Sequence, residues 1–128
     1  MNLSKKTIYV YLLVLETAAL FWFSLTPPIV MIKTGLFRTG DIEHFIAYSV
    51  YGFLWLKSLY IWKGKKFEGK KRLILFSVLM GSAIGGLLEV MQYFVPYRTA
   101  DMLDWAVDAI GSLAGALPAS KFKDGSQN

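Results

Sequence analysis

The chain has no cysteine and a single histidine. The first absence excludes a disulfide framework and any thiolate metal site, and the second excludes a polyhistidine one. Acidic residues are also scarce, at 9 against 14 lysines and arginines. A net charge of +5 could suggest a nucleic-acid partner. The basic residues, however, lie in gaps between apolar runs, where orientation in a membrane explains them better, so no nucleic-acid partner is expected. Polar surface is scarce as well. With 55% hydrophobic residues in 128 and a mean hydropathy of +0.43, a water-soluble fold of this size would lack polar residues to cover itself. The composition therefore points to one domain, residues 1–128, in a membrane.

Four apolar runs stand out, at about 7–25, 43–62, 73–94 and 102–119. Each approaches the roughly 20 helical residues that cross about 30 Å of hydrocarbon. The expected fold is an all-α integral membrane protein, a bundle of four transmembrane helices. In the alternative, Asp104 and Asp108 make the last segment re-entrant and leave three spans. The first run follows Lys5-Lys6 but is longer than the apolar region of a signal peptide, holds Glu16 and lacks a small-residue cleavage site before Pro27, so it reads as an uncleaved span. Basic residues set the orientation. Eleven lie at the N-terminus, in the middle loop with its edges (Lys57 to Arg72) and in the tail, against Lys33, Arg38 and Arg98 in the other two connections. Both termini and the middle loop are expected in the cytoplasm of a bacterial plasma membrane, with the middle loop serving to set topology. The polar tail from Lys121 is expected to fray. Trp22, Tyr60, Trp62, Tyr93, Tyr97 and Trp105 fall near span ends, as interfacial belt residues do.

Within the runs the polar residues are spaced helically. Gly81, Gly85, Glu89 and Gln92 share one stripe, as do Asp101, Asp104, Asp108, Gly111 and Gly115, and as do Asp41, His44, Tyr48 and Gly52. Each stripe passes from polar groups at the outer end to small residues deeper in, where helices can approach closely. The stripes are expected to face one another. Glu89 and Asp108 each lie about 7–8 Å from the outer end of their segment, and Tyr48 about 6 Å beyond His44, at 1.5 Å per residue. They converge on one layer in the outer leaflet, forming an outward-facing polar pocket. Ionisable groups at such depth are costly and mark function or tight pairing. Arg98 is the expected countercharge, clamping a carboxylate of the protein or a phosphate or carboxylate of a ligand. Asp104 could instead satisfy free N–H groups at its helix N-terminus. In the bland reading, Glu89 and Gln92 are interhelical glue and the cluster only assembles the bundle.

Glu89-x-x-Gln92-x-Phe94-x-Pro96-x-Arg98, followed by Asp104, Gly111 and Gly115, resembles the motif of the VanZ-like family of small bacterial membrane proteins. His44-Phe45-x-x-Tyr48 is similar to a second element of that family. There are two departures: Asp108 stands where the family usually has Asn, and Asp41 lies three residues before the His rather than four, with no Lys after it. The resemblance implies a multi-span protein of bacterial membranes and, through the founding member, a link to resistance against teicoplanin, a glycopeptide acting on lipid-linked cell-wall precursors.

Three functions compete. In the first, the pocket binds or acts on a lipid-linked cell-envelope component or the glycopeptide itself and contributes to resistance. Here Arg98 engages the head group while Glu89, Gln92 and Asp104 orient it, and His44, Tyr48 and Asp108 complete the functional set. In the second, the protein is an intramembrane hydrolase or transferase, with Glu89 as general base and His44 or Asp108 as its acid or metal partner. No His-Glu-x-x-His or Gly-x-Ser-x-Gly motif supports this. In the third, Glu16 and Glu89 relay protons in a small proton-coupled transporter. Membrane lipids are the general partner, and a homo-oligomer suits a chain this small. No cofactor or metal is expected, a carboxylate/His metal site being the less favoured alternative.

Overall fold

The computed structural model describes residues 4–27, 33–34, 37–63, 69–98 and 101–121. Most of the middle loop and the tail beyond Lys121, with the topological role and the fraying expected of them, lie outside the described residues.

Four α-helices make up the fold: α1 (Lys5–Leu25), α2 (Thr39–Lys63), α3 (Lys70–Tyr93) and α4 (Met102–Ala119). They coincide with the four apolar runs, extended by a few polar residues at the ends. Between α1 and α2 the chain makes a two-residue antiparallel ribbon, β1 (Lys33–Thr34) with β2 (Phe37–Arg38), which periodicity does not anticipate.

Local chemistry sets the helix ends. The Ser4 hydroxyl accepts from Thr7 N–H at 3.2 Å and opens α1. Gly69 precedes α3 at φ 116°, a conformation costly for any residue with a Cβ. Asp101 opens α4 by accepting from Leu103 N–H at 2.9 Å.

α1 and α3 are long and apolar enough to cross a membrane. α2 carries Asp41, Glu43 and Lys57 within its length and α4 carries two aspartates, so neither matches that description. Lys57, read as a loop-edge residue, is instead buried inside α2. The outward faces nonetheless stay apolar on every helix. Leu15, Val50, Leu79, Ile110 and Leu117 are all exposed, while Ser77, Asp108 and Ser112 are buried. This inverts the arrangement of a water-soluble bundle.

α4 packs chiefly against α2 and next against α3, while α1 leans on α2. The glycine-bearing stripes do face one another. A Cβ on Gly115 would overlap the Ser49 carbonyl, and one on Gly52 the Ser112 carbonyl, so α2 and α4 approach backbone to backbone. A Cβ on Gly81 would overlap the Ser112 side chain, fixing α3 against α4. Two apolar clusters complete the core, Leu20, Tyr48, Tyr51 and Leu88 toward one end and Leu56, Leu73, Ala116 and Ala119 toward the other.

Candidate functional site

The polar groups gather where α1 and α3 end and α2 and α4 begin. They form two constellations with different chemistry.

His44, one turn into α2, meets Asp108, two turns into α4. Nδ1 and Oδ1 are 2.7 Å apart, and the His44 side chain is 19% exposed against 1% for Asp108. Gly85 of α3 makes the room, because a Cβ there would lie 2.6 Å from Asp108 Oδ2. That oxygen is buried and has no hydrogen-bond partner among the described residues. Glu89, one turn further along α3 and half-buried, adds a third group. Atoms of His44, Glu89 and Asp108 able to ligate an ion all lie within 4.8 Å of one another. Glu89 also accepts the Asp101 N–H through Oε2 at 2.9 Å, tying the site to the start of α4.

Tyr48 lies one turn below His44, its ring parallel to the imidazole with centroids 6.1 Å apart. Its hydroxyl is buried without a described partner. Asp104 reaches across to a side-chain hydrogen bond with Asp41 in the first turn of α2. Asp101, not Asp104, caps α4.

The second constellation receives the end of α1. A helix leaves its last four carbonyls without intrahelical donors, and Pro27 follows too closely for the chain to continue the helix. Thr26 N–H closes on Trp22 O at 3.1 Å. The carbonyls after that are taken by side chains from the end of α3 and the turn beyond it. Arg98 donates to Phe23 O at 2.5 Å and to Thr26 O at 2.9 Å through Nε and 2.5 Å through a terminal nitrogen. Gln92, 2% exposed, donates to Ser24 O at 3.0 Å, and the Tyr97 hydroxyl to Leu25 O at 2.6 Å. The cationic fork also sits at the negative end of the helix dipole.

The geometry thus divides the residues read from sequence. His44, Tyr48, Glu89, Asp104 and Asp108 come together. Gln92 and Arg98 do not join them, since both are committed to backbone carbonyls of α1. Of the two partners expected for Arg98, a carboxylate of the protein is not the one it meets among the described residues; its donors go to Phe23 O and Thr26 O. Its spacing from the acids could not reveal this, because its acceptors are main-chain atoms of a distant helix. Tyr97 and Asp101 gain their roles only in three dimensions. Trp105, read as a belt residue, donates from its indole to Ser82 O at 2.8 Å. Glu16 is half-buried midway along α1 and has no hydrogen bond or ion pair to another described residue, so no relay from it to Glu89 is built among those residues.

An all-helical bundle with apolar outer faces, two helices able to cross a bilayer and ionisable groups on its inner faces defines a small membrane protein with an intrabundle polar site. The family model described as VanZ/LLP1 matches residues 2–123, and the chain belongs to this VanZ-like family. No curated protein and no solved structure matches it.

Proposed function

We propose that this VanZ-like protein crosses the membrane four times with both termini in the cytoplasm. In this reading its His44–Glu89–Asp108 site binds the polar head of a lipid-linked cell-envelope component in the outer leaflet. The observation that carries the proposal is the convergence of three ionisable side chains from three helices on one buried layer at one end of the bundle. Burying such groups is expensive, and one end of the bundle is where an amphiphile's head would meet them. Four spans are supported by the inverted surfaces of α2 and α4, which expose Val50, Ile110 and Leu117 and bury Asp108 and Ser112. The excess of basic residues toward the termini and middle loop supports the orientation.

Arg98 acts in this reading as the anchor of α1, not as the head-group ligand. Contact with the head falls to His44, Glu89 and Asp108, with Tyr48 beneath them. A contribution to teicoplanin-type resistance follows if the bound component is the one the antibiotic needs. The test is expression of wild type, Asp108→Asn and empty vector in a glycopeptide-sensitive strain, reading envelope lipids and susceptibility. The proposal expects wild type to differ from the other two. Identity of all three, with the protein present in the membrane, refutes it.

A second reading rests on the 2.7 Å His44–Asp108 contact beside Glu89, an arrangement able to pass a proton to or from a bound group. An intramembrane hydrolase or transferase would lose turnover of a lipid-linked substrate in Glu89→Gln while keeping binding. Equal turnover by wild type and variant contradicts that reading.

A further inference from the structure

Asp108 is 1% exposed, yet only one of its carboxylate oxygens is satisfied. Oδ1 meets His44, whereas Oδ2 is buried with no hydrogen-bond partner among the described residues. A carboxylate in that setting needs a proton, a donor or a cation. Glu89 brings a second carboxylate to the same point from α3, and His44 an imidazole from α2. Their ligand atoms lie within 4.8 Å of one another. Atoms that share one ion at about 2.0–2.4 Å each can be no further apart than about 4–5 Å. The His44 side chain, 19% exposed, is the member of the group that reaches the surface.

We propose that His44, Glu89 and Asp108 hold one divalent transition-metal cation, zinc or manganese in preference to magnesium or calcium. One imidazole nitrogen with two carboxylates is a mixed N/O donor set. It suits zinc and manganese, whereas magnesium and calcium prefer oxygen alone. Three protein ligands leave at least one coordination position open. The inference deepens the lipid-linked reading and rests on it in one respect. A phosphate of the head group would be repelled by two carboxylates, and Arg98 is committed to α1. A bound cation supplies the positive charge and an open position for a phosphate oxygen.

The test uses the full chain with its purification tag removed, in mild detergent, stripped with a chelator and re-equilibrated with zinc, manganese, magnesium or calcium singly. Metal content and thermal unfolding are read together, with native mass spectrometry for retained phosphate-bearing lipid. About one zinc or manganese per chain is expected, with a raised unfolding midpoint. Asp108→Asn and His44→Gln should bind at least about tenfold more weakly. Glu43→Gln, which removes an exposed carboxylate one residue from His44, should bind as wild type does. If the variants misfold, the wild type still decides: bound manganese must show a protein-ligated paramagnetic resonance spectrum distinct from the hydrated ion. Wild type retaining less than about a tenth of an equivalent with no stabilisation overturns the cation site, as does binding by Asp108→Asn equal to wild type. Loss of the cation site leaves the lipid-linked reading standing if expression still changes envelope lipids. Metal bound without any such change, and without retained lipid, sinks that reading and leaves the cation site.

Discussion

Replacing Arg98 by alanine should release the end of α1 without touching His44 or Asp108. The guanidinium makes three hydrogen bonds to two carbonyls, Phe23 O and Thr26 O. Hydrogen bonds to charged groups are worth about 1.5–3 kcal/mol each. The contact to Phe23 O is exposed, where water can substitute, while both contacts to Thr26 O are half-buried. Counting the Thr26 interaction fully and the Phe23 one in small part gives a loss of about 2–4 kcal/mol. Gln92 and Tyr97 still hold the carbonyls between them, so the helix opens more often rather than detaching outright. That loss raises the open population roughly 30- to 700-fold. The lack of native cysteine makes the assay clean. Ser24 is buried beside this contact, and its bond to Gln92 uses the backbone carbonyl, so Ser24→Cys leaves that bond intact. Thiol labelling of the Ser24→Cys protein in detergent should accelerate strongly when Arg98→Ala is added. Arg98→Lys should recover part of the protection, because a single ammonium cannot span both carbonyls as the fork does. Labelling at an unchanged rate after Arg98→Ala would refute the anchoring role and return Arg98 to the ligand side of the account.

Gly115→Leu should separate α2 from α4, since its Cβ would overlap the Ser49 carbonyl; overpacking of this kind costs about 1–3 kcal/mol or more and should appear as a lowered thermal midpoint. Gly85→Ala is more selective. Its Cβ would stand 2.6 Å from Asp108 Oδ2, so it should displace Asp108 and weaken whatever the site binds, while thiol labelling of Ser24→Cys in the same background keeps its rate. Equal loss in both readouts would show that the site and the α1 anchor are not separable.

Much of this is legible in one dimension. The four runs mark the four helices because apolar stretches of span length, bounded by Pro27, Pro96 and charged residues, leave few alternatives. The stripes are legible because polar and small residues recur at three and four, which places Gly85 and Asp108 on facing sides. Arg98 misleads for a physical reason. A cation near several carboxylates looks paired with them, but its acceptors are main-chain carbonyls that no residue identity announces. Lys57 misleads through proximity to a basic loop, although α2 continues six residues beyond it. Asp101 and Asp104 both suit a helix start, and only the backbone shows which one precedes the first turn. The family motif also divides in a way spacing alone could not reveal: Glu89 serves the polar site, and Gln92 and Arg98, three and nine residues on, serve the end of α1. The function itself is less legible, because carboxylates and one histidine can bind, transfer protons or ligate, and their identity does not choose among these.

The central claim is that His44 and Asp108 meet across α2 and α4 and define the site. The chain has one histidine, so the imidazole nitrogen spectrum of uniformly ¹⁵N-histidine-labelled protein reports His44 alone. The account predicts an Nδ1 resonance typical of a nitrogen hydrogen-bonded to carboxylate in wild type. It should move in Asp108→Asn and stay in place in Glu43→Gln. Indistinguishable His44 resonances in wild type and Asp108→Asn would contradict it.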